Sequence, residues 1–83
     1  MDIREHKAGD FRICAKALPR PGGGYLAGVE LHRVPAEFSA HIDVVYSKDS
    51  LFHGRAFEDA HSAMVAAMDV GHQMVRRLAT VAA

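Results

Sequence analysis

Apolar and polar residues alternate along the first half of the chain and recur at helical steps along its last third. Between Asp10 and Leu18, Phe11, Ile13, Ala15 and Ala17 share one face, while Arg12, Cys14 and Lys16 share the other. A period of two with one apolar face predicts a half-buried strand. Pro19-Arg20-Pro21-Gly22-Gly23-Gly24 ends it, because the prolines withhold ladder donors and the glycines accept positive φ, so a loose hairpin loop is expected. The alternation resumes from Tyr25 to Arg33, with Tyr25, Ala27, Val29 and Leu31 on one face. After a turn at Val34-Pro35-Ala36-Glu37, a third strand is expected from Phe38 to Tyr46, with Phe38, Ala40, Ile42, Val44 and Tyr46 inward. Ser47 to Ser50 read as a turn, and residues 51–56 as a short fourth strand at the edge.

From Asp59 the period changes. Ala60, Met64, Ala67, Gly71, Met74 or Val75, and Leu78 recur at three- and four-residue steps, which predicts an amphipathic helix. Asp59 is the expected N-cap, and Arg76 and Arg77 the last turn. About twenty helical residues span roughly 30 Å, and nine strand residues span about as much, so one helix can cover one sheet face. The predicted fold class is therefore α+β: a single antiparallel sheet of three to four strands with one C-terminal helix packed across one face. Residues 1–9 read as a loose N-terminal arm, 10–78 as the single domain and 79–83 as a frayed tail. The buried set should be Phe11, Ile13, Val29, Leu31, Phe38, Ile42 and Val44 beneath Met64, Ala67, Met68, Gly71 and Leu78.

Composition narrows the chemistry. The chain has 83 residues, which excludes folds built from paired Rossmann units or a (β/α)8 barrel. Ten basic side chains balance ten acidic ones, so the chain lacks the overall positive field of a nucleic-acid or anionic-lipid binder. A single cysteine, Cys14, excludes a disulfide framework, and the charged start of the chain lacks the apolar core of a secretory signal; a cytoplasmic location is expected. No apolar run is long enough to span a membrane.

No catalytic, cofactor or metal site emerges from the motifs. Gly22-Gly23-Gly24-Tyr25-Leu26-Ala27 has the spacing of a dinucleotide fingerprint but opens a strand, whereas the mechanism needs a helix N-terminus there. His61 and His72 share a helix face but stand about 16 Å apart along the axis, too far for one ion. His32, His41 and Asp43 fall on the outer sheet face and read as scattered surface groups rather than a metal site; Ser39, His41 and Asp43 lack the cleft that nucleophilic catalysis needs. Cys14, in phase with Arg12 and Lys16, reads as a packing residue. The flank of His61, Val65, Met68 and His72 widens the apolar stripe beyond one helix face and is the candidate partner contact. Arg12, Lys16 and Arg20 are the candidate nucleic-acid contacts, offset on the same face by Glu30 and Asp43.

The stretch Phe57-Glu58-Asp59-Ala60-His61-Ser62-Ala63, an aromatic residue and a polar cap entering an alanine-rich helix, resembles the helix entry of phage integrase arm-binding domains. The strand-strand-strand-helix layout is also similar to HicB-like domains and to small uncharacterised bacterial proteins. The layout implies a weak or accessory nucleic-acid binder, whereas the non-enzymatic reading rests on the absence of a cleft, a catalytic motif, a metal cluster and a charge field. The expected function is a small binding module, monomeric or weakly dimeric, acting through protein contacts. The alternatives are a weak nucleic-acid-binding module and a histidine-based pH- or metal-responsive module, since six histidines gain charge below about pH 6.

Overall fold

The computed structural model describes residues 1–33 and 43–82. The elements are β1 (Asp2–Ala8), β2 (Phe11–Pro19), β3 (Tyr25–Arg33), β4 (Asp43–Lys48), a 3-10 turn (Phe52–Gly54), β5 (Ala56–Phe57) and α1 (Ala60–Ala82). The strands form one antiparallel sheet in the order β1-β2-β3-β4, with β5 pairing the start of β3. Helix α1 lies across one face. The predicted α+β architecture therefore stands, with more strands than the three to four expected.

Three elements differ from the sequence reading. The stretch read as a loose arm is β1, paired with β2 from Asp2↔Ala17 to Ala8↔Phe11. The two residues between them, Gly9 and Asp10, form a hairpin connection in which Gly9 takes a φ of +60° that costs glycine little. Residues 51–56 are a turn followed by the two-residue β5, not a fourth strand. The helix continues to Ala82, past the tail expected to fray. The turn expected at residues 34–37, together with Phe38 and Ile42, lies outside the described residues.

The start of α1 forms as the sequence predicts. The Asp59 carboxylate accepts a hydrogen bond from the Ser62 backbone N–H at 2.7 Å, which holds the Asp59 carboxyl below its ordinary range. Leu51, ahead of the 3-10 turn, is buried and donates its N–H to the Ala27 carbonyl at 2.8 Å, anchoring the connection to β3.

The core is a seam of small residues flanked by large ones. Ala63, Ala67 and Gly71 follow one another at four-residue steps along the buried line of α1. They meet Ile13, Ala15, Ala17, Ala27, Val29 and Leu31, which β2 and β3 turn to the same face. Met64, Met68, Met74, Val75 and Leu78 close the seam from the sides, half-buried. Small residues on both layers let the helix backbone approach the sheet closely. The limit is reached at Gly71, where a Cβ would overlap Cγ2 of Ile13 and meet Cγ2 of Val29 at 3.3 Å.

Sheet register corrects one predicted core residue. Leu31 pairs with Tyr46, but His32 pairs with Val44, so Val45 is an extra residue in β4. This β-bulge reverses the alternation. Tyr46 stays against the core, whereas Val44, expected to be buried, is 55% exposed.

Gly71→Ala tests the seam. Alanine is the better helix former by about 1 kcal/mol, but overpacking a tight core costs about 1–3 kcal/mol, and Ile13 is fully buried with nowhere to move. The substitution is expected to lower the thermal midpoint; an increase, measured by circular dichroism, would show that the helix stands off the sheet at this point.

Candidate functional site

The sheet face opposite α1 carries a chain of polar side chains rather than an apolar layer. Alternation sends Glu5 of β1, Cys14 and Lys16 of β2, and Glu30 and His32 of β3 to this face. Cys14 lies between Glu5 and Glu30 in the ladder, with His32 on the diagonal in β3 and Lys16 two residues further along β2. The Lys16 Nζ donates to Glu30 Oε2 at 2.9 Å and lies 3.7 Å from the Asp49 carboxylate. Asp49 reaches this position because β3 has a glycine beneath it: a Cβ on Gly28 would stand 3.2 Å from the Asp49 Cα. The other Glu30 oxygen, Oε1, holds Nε2 of His32 at 2.5 Å.

That contact fixes the histidine. A carboxylate only accepts, so Nε2 carries the hydrogen, and the other ring nitrogen, Nδ1, faces Cys14 Sγ at 4.0 Å. The thiol donates the other way, to Glu5 Oε1 at 3.7 Å. Cys14 is 5% exposed. Burial pushes its thiol pKa up, the Glu5 and Glu30 carboxylates push it further, and Arg12 opposes them. Glu30 is held below its ordinary range by the hydrogen bonds from His32 and Lys16, and Lys16 is raised chiefly by its hydrogen bond to Glu30. The arrangement can hold a neutral thiol and an oriented imidazole side by side; it does not generate a thiolate.

The residues singled out from the sequence are only partly brought together. His61 and Val65 are exposed and line an open groove with Ser62, Ala66 and Asp69. Met68, expected beside them, packs against the core. His72 turns to β1, where its ring contacts that of His6 at 5.1 Å. The expected flank is thus two surfaces, because β1 covers the His72 side of the helix. Arg12 and Lys16 share the open face but are half-buried, Lys16 is committed to carboxylates, and Arg20 stands apart in the β2–β3 turn. His32, expected near His41 and Asp43, lies opposite Val44 and turns to Cys14; His41 lies outside the described residues. Among the described residues no three His, Cys, Asp or Glu side chains are placed to hold one metal ion.

The groups that sequence reasoning missed are Glu5 and Asp49; Glu30 is expected on this face, but its hydrogen bond to His32 is not. A cross-strand signal for Glu5 needs β1 to be recognised, and Asp49 needs the close approach over Gly28.

A second surface lies at the β5 end. Phe52 and His53 adopt left-handed backbone conformations, with φ of 55° and 56°. Phe52 sits edge-on to Phe57 at 6.0 Å, and the Arg55 guanidinium stacks over Phe57 at 5.4 Å.

No protein-family model, curated protein or solved structure matches this chain.

Two outcomes are expected of the thiol and its carboxylates. Cys14 should react with iodoacetamide at pH 7.5 at least tenfold more slowly than free cysteine. Glu5→Gln should quicken the reaction by removing a negative charge beside the sulfur; mass spectrometry reads both. The second outcome concerns Glu30, whose carboxyl is lowered in the folded state. Its stabilisation is present above the ordinary glutamate range and is lost as the pH falls through the lower folded value. A partly exposed pair of this kind contributes about 0.2–1 kcal/mol. The wild-type thermal midpoint should therefore drop more steeply between pH 5 and 3 than that of Glu30→Gln; parallel curves would deny the pair a role in stability.

Proposed function

We propose that this chain is a small non-enzymatic binding module that acts through protein contacts, with the β4 edge as its contact surface. The observation that carries the reading is the exposure of adjacent Val44 and Val45, at 55% and 42%, on a strand whose outer edge is unpaired among the described residues. An edge strand presents free N–H and C=O groups, and exposed β-branched residues make it a template for an added strand. The opposite edge contrasts with it. β1 carries Asp2, Arg4, Glu5, His6 and Lys7, all exposed, the charged composition that guards an edge against pairing.

The two alternatives have less support. A nucleic-acid surface on the open face would draw on Lys16, which is neutralised by Glu30 and Asp49. The pH-responsive reading has one specific support, the His6–His72 contact between β1 and α1, where charge on both rings would be repulsive.

The test compares the two edges. The double substitution Val44→Lys with Val45→Lys is expected to reduce the proteins retained from native lysate at least tenfold while leaving the thermal midpoint within about 2 °C, since both side chains are surface groups. Ile3→Lys, on β1, should leave retention unchanged. Equal retention by both variants would place the contact elsewhere, and micromolar, salt-sensitive duplex binding in a fluorescence-anisotropy titration would favour the nucleic-acid reading.

A further inference from the structure

The polar chain on the open sheet face has a property that is independent of any protein contact at the β4 edge. His32 is held as metal-binding histidines are held. Such a histidine donates its remote ring N–H to a carboxylate, which fixes the tautomer and leaves the other nitrogen as a lone-pair donor. Here Glu30 takes the Nε2 hydrogen, and Lys16 in turn fixes Glu30. The freed nitrogen, Nδ1, faces Cys14 Sγ at 4.0 Å. The thiol lies within hydrogen-bond distance of both Glu5 Oε1, at 3.7 Å, and Nδ1, so a metal ion between sulfur and nitrogen would take the place of the thiol hydrogen.

We infer that Cys14 Sγ and His32 Nδ1 form a two-ligand site for a soft, low-coordinate metal ion of the Cu(I) class. The donor set argues for that class. Thiolate sulfur with imidazole nitrogen suits soft ions, whereas a structural zinc site requires about four ligands. No third His, Cys, Asp or Glu is placed to complete such a site among the described residues. Geometry agrees. Bonds of about 2.0–2.3 Å to nitrogen and sulfur set tetrahedral ligands roughly 3.6 Å apart. The observed 4.0 Å separation requires a wider angle, as an ion with few ligands adopts. Electrostatics point the same way, because the Glu5 and Glu30 carboxylates act on the sulfur against Arg12, and Lys16 is taken up by Glu30 and Asp49. On binding, the metal–sulfur bond replaces the S–H bond, and the proton leaves to solvent. No oxidation or reduction is involved when the ion is supplied as a monovalent cation.

The test titrates the full chain with Ag(I), a redox-inert probe of the same class, in the presence of excess glutathione as competing monothiol. One ion per chain should be retained. His32→Gln should lose at least tenfold in affinity relative to wild type, and Glu30→Gln about 10–100-fold, the usual effect of removing a partner that orients a ligand. Cys14→Ser should abolish retention, with circular dichroism confirming that each variant is folded. X-ray absorption on the wild-type chain loaded anaerobically with Cu(I) adds a measurement free of any substitution. One sulfur and one nitrogen bonded to the ion are expected. Retention by folded His32→Gln equal to wild type would overturn the site, as would two sulfur neighbours per ion, since that reports a bridge between two chains.

Discussion

The close approach of α1 to β2 at Gly71 governs the rest of the structure. A helix that packs on a sheet through Ala63, Ala67 and Gly71 sits low, and the sheet must offer small residues in return. It does so with Ala15, Ala17 and Ala27, leaving Ile13, Val29 and Leu31 to fill the remaining volume. A seam this narrow commits most buried apolar side chains to one face. The other face of the same strands is left to Glu5, Cys14, Lys16, Glu30 and His32, and these satisfy one another: no buried side-chain nitrogen or oxygen lacks a partner among the described residues. The polar chain is thus the complement of the seam, set by the same alternation in β2 and β3.

The sheet is also asymmetric across its width. Its β1 side is mostly charged, with Ile3 exposed among the charges, and its β4 side exposes the adjacent Val44 and Val45, and each arises from a local device. β1 is tied on by a two-residue connection at Gly9 and Asp10 and meets the helix through the His6–His72 ring pair. β4 contains the bulge at Val45, which breaks the alternation that would have buried Val44. Between them, Asp49 crosses over Gly28 to reach Lys16, joining the β4 end of the chain to the polar face.

Much of this layout is legible in the sequence. Strands β2 and β3 and the helix follow from periodicity, because each has one apolar face, and the Pro19 to Gly24 stretch separates the two strands. Asp59 reads as a cap because its short carboxylate, placed at the period change, readily accepts a backbone N–H. β1 is not legible by that method: Asp2-Ile3-Arg4-Glu5-His6-Lys7 has no apolar face, since its residues are exposed on both sides. A signal does lie just after it, where Gly9-Asp10 separates two extended runs by the length of a tight hairpin. The exposure of Val44 is hidden for a different reason, as a bulge adds one residue without changing composition. The Cys14–His32 pair demands register as well as alternation. Both residues fall on the open face by alternation alone, but their contact depends on β2 and β3 pairing Cys14 with Glu30.

The order of elements along the chain has a consequence for synthesis. The strands β1 to β4 form a meander of neighbours in sequence, and every strand precedes the helix that covers their apolar face. At about 5–20 residues per second, the 23 residues of α1 take roughly one to five seconds to follow. During that interval Ile13, Val29 and Leu31 have no cover of their own, and the hairpins can pair before the seam exists. The nascent sheet is therefore at its most adhesive just before α1 follows it, and docking of that helix ends the exposure.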